Sequence, residues 1–271
     1  MRNDTWFYLP WAYFLKTRIS STFKLVSWGF IYVIPTFVIS LSLWVDFSLA
    51  YILSYLIQFA VIYNFYEVGY IENDNETTKK EKNPTERLGP KEKLYYENKK
   101  NNIYIFRIII GFSLLCILGY IESYSCGFIY FAGASLLILL IYLIYNRIRS
   151  FLTLPLHFLL VCLRFLSYIF LGTLYLSATN LLFLVCMYPL INIIERASNP
   201  KFRLTLLAPL YYSERKLAWF RAAYYIIVSL LLLWLQTLSV VIMPWILSLY
   251  MFFSIYRFFG LLYILRDRKS V

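Results

Sequence analysis

Residues 48–69 read SLAYILSYLIQFAVIYNFYEVG, and residues 70–87 continue YIENDNETTKKEKNPTER. The first run is long enough to cross a hydrocarbon core, which takes about 20 apolar residues of helix. It passes directly into a dense mixture of acids and bases. An apolar run ending in clustered charge predicts a membrane-spanning helix that emerges into water. Similar runs at 25–45, 103–121, 127–146, 151–176, 179–195, 217–236 and 240–264 bring the expected number of spans to eight. None shows the polar alternation of a membrane β-barrel. Stretches such as LLILLIYLIY (136–145) suit helices that satisfy their own backbone groups. The fold class is therefore all-α, a polytopic membrane helical bundle.

Composition agrees. Of 271 residues, 61% are hydrophobic, 21% aromatic and only 15% charged, yet the net charge is +12 and the mean hydropathy +0.65. A soluble domain carries about a quarter charged residues, and a nucleic-acid binder of this charge would not be so apolar. These values exclude a secreted disulfide scaffold, a disordered tail and a soluble nucleotide-binding enzyme. No nucleic acid is expected as a partner. Bases fall on alternate connections: Arg2, Lys16, Arg18 and Lys24, then the lysines and Arg87 after the second span. Arg147 and Arg149 follow the fourth span, Arg196 to Arg221 the sixth, and Arg266, Arg268 and Lys269 close the chain. The connections 44–47, 122–126, 176–179 and 237–240 contain no Lys or Arg. The positive-inside rule then places both termini in the cytoplasm.

The expected organisation is an interfacial amino-terminal segment (1–24), a transmembrane domain (25–264) with cytoplasmic loops at 70–102 and 196–216, and a short tail (265–271). WFYLPWAYFLKTRI, within the first segment, lacks the apolar core and cleavage site of a signal peptide. It suits a membrane-surface segment instead. Cys116, Cys126, Cys162 and Cys186 show no ligand spacing and are expected to be packing thiols.

Function is sought in the polar groups that an apolar chain retains. Glu67, Glu72, Asp74 and Glu76 lie at the end of the second span, followed by Lys79, Lys80, Lys82 and Arg87. On a continuing helix Glu72 and Glu76 share a face with Asn64, and Glu67 and Asp74 share a neighbouring stripe. Clustered carboxylates repel one another unless a cation compensates them. Mg²⁺ is the natural one, because it joins carboxylates to substrate phosphates, and the adjacent bases would hold the remaining phosphate charge. A charge-balanced loop anchoring the span is the competing interpretation. After the sixth span, NIIERASNPKFR places Asn192, Glu195 and Asn199 at i, i+3 and i+7, with Lys201 and Arg203 following. After the fourth, YNRIRSFLTLP carries Arg147 and Arg149.

These three pieces, in this order and after these spans, resemble the motifs of the UbiA-type intramembrane prenyltransferase superfamily. Glu72 and Glu76 stand at the last two acid positions of its first Asp-rich motif. Val68 and Gly69 replace the opening Asn-Asp, and Asn64 and Glu67 lie one turn earlier. YNRIRSFLTLP is similar to the basic turn after helix four, and Asn192, Glu195 and Asn199 lie where the second motif's acids stand. The resemblance implies about eight transmembrane helices around a central cavity, and Mg²⁺-dependent transfer of a prenyl group from an isoprenyl diphosphate to a small acceptor. It also implies metal ligation by Asn64, Glu67, Glu72, Asp74, Glu76, Asn192, Glu195 and Asn199, with Glu72, Glu76 and Glu195 catalytic. Lys79, Lys80, Arg87, Arg147, Arg149, Lys201 and Arg203 would bind phosphate. The superfamily's phosphoribosyl branch implies an alternative, transfer from phosphoribosyl diphosphate to a polyprenyl phosphate. A non-catalytic scaffold or a transporter is a third reading, with Arg164, Arg257 and His157 as its polar candidates. In a bacterium the setting would be the inner membrane, with the site facing the cytoplasm.

Overall fold

The computed structural model describes residues 4–43, 49–80, 84–148, 150–172, 176–240 and 242–267. Among these every regular element is helical, and the chain divides into two units, Met1–Leu174 and Tyr175–Val271.

In the first unit a short turn at Asp4–Phe7 leads to α1 (Ala12–Arg18). The first spanning helix, α2 (Thr22–Leu41), contains a π turn at Gly29–Val33. Pro35 cannot donate a hydrogen bond to Ile31, four residues earlier, and the widened turn sits at that gap. Next comes α3 (Leu49–Lys80), which is buried on nearly all sides. A helix apolar all round belongs in an interior, and α3 is the element against which α4 (Pro90–Ile121) and α5 (Cys126–Arg147) pack. The unit closes with α6 (Thr153–Leu171), whose last turn is 3₁₀.

Two glycines permit this packing. A Cβ at Gly69 on α3 would lie 2.2 Å from the Tyr142 ring on α5, and one at Gly111 on α4 would lie 2.4 Å from Phe65 on α3. Gly69→Ala is expected to destabilise the protein by about 1–3 kcal/mol, because the ring cannot retreat from a packed interior. Thermal unfolding in detergent would measure it.

The second unit contains α7 (Ala178–Met187), α8 (Pro189–Ala197), α9 (Glu214–Thr237) and α10 (Pro244–Arg266). α7 and α8 form one apolar stretch bent by 42° at Tyr188–Pro189. Three tyrosines from α9 and α10 cap carbonyls beside the bend. Tyr224 donates to Cys186 O (2.7 Å), Tyr225 to Met187 O (2.6 Å) and Tyr250 to Phe183 O (2.7 Å). Carbonyls left short of helical partners near a proline need such donors inside a membrane.

Seven helices are long and apolar enough to cross a membrane, or eight when the bent pair is taken as one span. The chain has the character of a multi-pass integral membrane protein. Two expectations change. The loop expected at 70–102 is largely helix, since α3 runs on to Lys80 and α4 begins at Pro90. Pro90 opens α4 and the Gly89 N–H donates to the Glu92 carboxylate (2.7 Å), a start signal that hydropathy does not register. The amino-terminal segment is not simply laid on a surface. Phe7 and Tyr13 are fully buried, packed with Ile71, Leu88, Tyr96 and Ile103 of α3, α4 and their connection.

At the opposite end of α4, Ser54 donates to Glu122 (2.5 Å). Burial raises the pKa of this carboxyl, and the Ser54 hydrogen bond only partly offsets the rise. A carboxyl with a raised folded-state pKa favours the folded state when protonated. Its contribution is complete below the unfolded pKa and is lost as pH rises through the folded one. Glu122→Gln is therefore expected to stabilise the protein at neutral pH and to flatten the pH dependence of its melting temperature.

Candidate functional site

The polar groups of α3 are distributed among three neighbours. Deepest are Asn64 and Glu67, both fully buried. Glu67 accepts from Arg107 Nη1 on α4 (2.7 Å) and from the Phe14 N–H on α1 (2.6 Å). Arg107 donates from Nε to Phe7 O (2.8 Å) and from Nη1 to Asn64 Oδ1 (3.3 Å), while Asn64 Nδ2 donates to Arg107 O (2.7 Å). The two residues expected to open the metal motif are thus occupied in tying the amino-terminal segment to α3 and α4.

One turn beyond the apolar run, Asp74 is also enclosed. Its carboxylate accepts from Arg18 Nη1 (2.6 Å) and Nη2 (3.0 Å), from Arg87 Nη1 (3.1 Å) and from the Tyr13 hydroxyl (2.9 Å). Burial alone would lower the Arg18 pKa, but the hydrogen bond and charge of Asp74 outweigh it and the net shift is upward. Burial first and the Asp74 charge second push the Tyr13 phenol far above its usual value. Arg18 also stacks on the Tyr70 ring, 4.2 Å from its centre. The Tyr70 hydroxyl accepts from Arg164 Nη1 on α6 (3.3 Å), and that guanidinium lies over the rings of Tyr66 (4.6 Å) and Tyr32 (5.0 Å). Arg87, Arg18 and Arg164 are therefore linked through Asp74 and Tyr70 into a chain of guanidiniums leading from the charged end of α3 into the unit.

Glu72 and Glu76 do not share a face as expected. The helix widens to a π turn over Asn73–Thr77, which changes the register between them. Glu76 meets α4, accepting from Lys100 (2.7 Å) and Tyr96 (3.1 Å), with Lys79 at 3.7 Å. Glu72 meets α5, where Asn146 Nδ2 donates to it (3.3 Å) and to Gly69 O (3.1 Å). Among the described residues Glu72 is the one of these four acids with no basic partner. Glu67 and Asp74 do share a stripe, and it faces the amino-terminal segment. Lys80 and Arg147 are exposed, and Arg149 lies outside the described residues.

In the second unit Glu195 is held by Arg221 of α9, from Nε (2.6 Å) and Nη2 (2.5 Å). Asn192 is on α8 with Glu195, but Asn199 is not. It precedes Pro200, which steers the preceding residue to extended backbone, and instead caps the turn Pro200–Phe202 by accepting from the Lys201 N–H (3.1 Å). Lys201 sits over the Phe202 ring (4.7 Å), and Arg203 ends that turn with a left-handed backbone. Lys201 and Arg203 are both exposed.

The donor set does not fit a shared Mg²⁺ ion. Glu67, Asp74, Glu76 and Glu195 each hold a basic side chain. Among the described residues no group of three or more His, Cys, Asp or Glu is arranged around a common metal position. The arrangement offers fixed cations beside hydroxyl-bearing rings, which suits an anion such as phosphate. Sequence reasoning missed Arg18, Arg107 and Tyr70 in these roles. Arg107 did carry a signal, a base inside an apolar run.

Searches against protein-family models, curated proteins and solved structures found no match.

Proposed function

We propose that this chain is an intramembrane transferase of the UbiA type acting on a lipid diphosphate, with the first unit binding the phosphate end. One observation supports this above the others: the guanidiniums of Arg87, Arg18 and Arg164 are joined through Asp74 and Tyr70 where the apolar length of α3 gives way to charge. An isoprenyl diphosphate has the same division, an apolar chain ending in concentrated negative charge. The positive-inside bias supports a cytoplasmic position for this end.

When the bond from the isoprenyl carbon to the diphosphate oxygen breaks, negative charge builds on the leaving group. Cations already in position stabilise it without reorganising. Arg18 and Arg87 take that role, and Asp74 positions them. Arg164, held over the rings of Tyr66 and Tyr32, lies deeper and adds a third cation to the site that would hold the diphosphate. Glu72 is the carboxylate available to accept a proton from the acceptor. No step is assigned to Mg²⁺.

The test uses purified protein in nanodiscs with labelled geranylgeranyl diphosphate and an aromatic acid acceptor. A parallel reaction contains labelled phosphoribosyl diphosphate and undecaprenyl phosphate. Prenylated product that survives chelation of divalent metals is the expected result. Label in the lipid fraction of the parallel reaction alone would move the assignment to phosphoribosyl transfer. Absence of both products would overturn the transferase reading.

A further inference from the structure

Arg257 lies within the spanning helix α10, in the sequence MFFSIYRFFG, nine residues before Arg266. Its guanidinium has one described contact, with the ring of the adjacent Tyr256 (5.6 Å). Its Nε is buried and donates to nothing, and it forms no ion pair among the described residues. A guanidinium presents five N–H donors, and an uncompensated charge at membrane depth is costly. The nearest acid does not resolve this. Glu195 lies within electrostatic range of Arg257, but Arg221 already holds both of its oxygens, and the Arg221 charge repels Arg257. Two arginines on neighbouring helices thus share the field of one carboxylate, which Arg221 alone holds.

We infer that Arg257 anchors an anion site in the second unit, and that its ligand is a phosphate monoester carried on a lipid. The fork of a guanidinium matches two oxygens of a phosphate. Phe258 and Phe259, the next two residues of α10, are exposed apolar side chains that suit an acyl or isoprenyl chain. The Arg221–Glu195 pair keeps Glu195 from neutralising Arg257. This site belongs to the second unit alone and does not depend on the transferase reading.

The experiment follows thermal unfolding in a nonionic detergent for the wild type, Arg257→Met and Arg257→Lys. Each is titrated with dioleoyl phosphatidic acid, with dioleoyl phosphatidylcholine and with inorganic phosphate. Phosphatidic acid is expected to raise the wild-type melting temperature. The midpoint of that rise should be about tenfold or more weaker in Arg257→Met and partly restored in Arg257→Lys. Without ligand, Arg257→Met is expected to melt higher than the wild type, since it removes an unpaired charge at nearly constant volume. An equal, Arg257-dependent effect of inorganic phosphate would assign the site to a free anion. Two results would overturn the proposal: indifference of the wild type to every anion, or an unliganded Arg257→Met that melts lower, which would make the side chain structural.

Discussion

Replacing Arg107 with alanine is expected to lower stability by about 3–5 kcal/mol, the usual result of stranding one charge of a buried pair. Both Arg107 and Glu67 have fully buried side chains and their oxygen–nitrogen distance is 2.7 Å, so no solvent screens the loss. The substitution also removes the donor to Phe7 O and leaves the Glu67 carboxylate with backbone donors alone, the Phe14 N–H among them. Glu67→Gln keeps an acceptor for that N–H but strands the Arg107 charge in turn, so its cost should fall in the same range. The double change Glu67→Leu, Arg107→Met removes both charges and is expected to be less damaging than Arg107→Ala alone. It should not reach wild-type stability, since the backbone groups of Phe7 and Phe14 lose their partners. Tryptophan fluorescence during thermal unfolding would follow all four proteins, and Trp6 and Trp11 lie in the affected segment.

Asp74→Ala is expected to act mainly on function. Asp74 itself is enclosed, but the side chains of Arg18 and Arg87 are 15% and 31% exposed and can turn toward water. The stability loss should therefore be smaller, about 1–3 kcal/mol. On the transferase reading proposed above, transfer is expected to fall about a hundredfold or more, because both cations would lose the group that aims them at a leaving diphosphate. Arg18→Lys separates the two effects. A lysine keeps the charge but cannot bind both carboxylate oxygens or stack on Tyr70. Substrate affinity should weaken while the melting temperature changes little. A variant with full transfer activity and an intact fold would remove Asp74 and Arg18 from the mechanism.

The spans were legible because a run of about 20 apolar residues has few other uses. Helix outside such runs was not. The lysines and glutamates of Pro90–Lys100 form helix as readily as they form loop, and only the Gly89–Pro90–Glu92 start betrays it. The acids at the end of α3 could be found in the sequence, but their partners could not. Arg18 is 56 residues from Asp74 and Arg107 is 40 from Glu67, so only the packing of α1 and α4 on α3 joins them. The π turn at Asn73–Thr77 was equally hidden, and it moves Glu72 from the Glu76 neighbourhood to that of Asn146. An i, i+4 rule holds only while the helix keeps its pitch.

The bonds from Arg107 to Phe7 and from Glu67 to Phe14 also bear on the order of assembly. Residues 4–18 leave the ribosome before α3 and α4, yet their seat consists of side chains on both of those helices. This segment must therefore wait, undocked, until residue 107 has emerged and both α3 and α4 have been released into the bilayer. Its early exposure makes this aromatic segment a natural client for chaperones during translation, and its docking a late checkpoint in the biogenesis of the first unit.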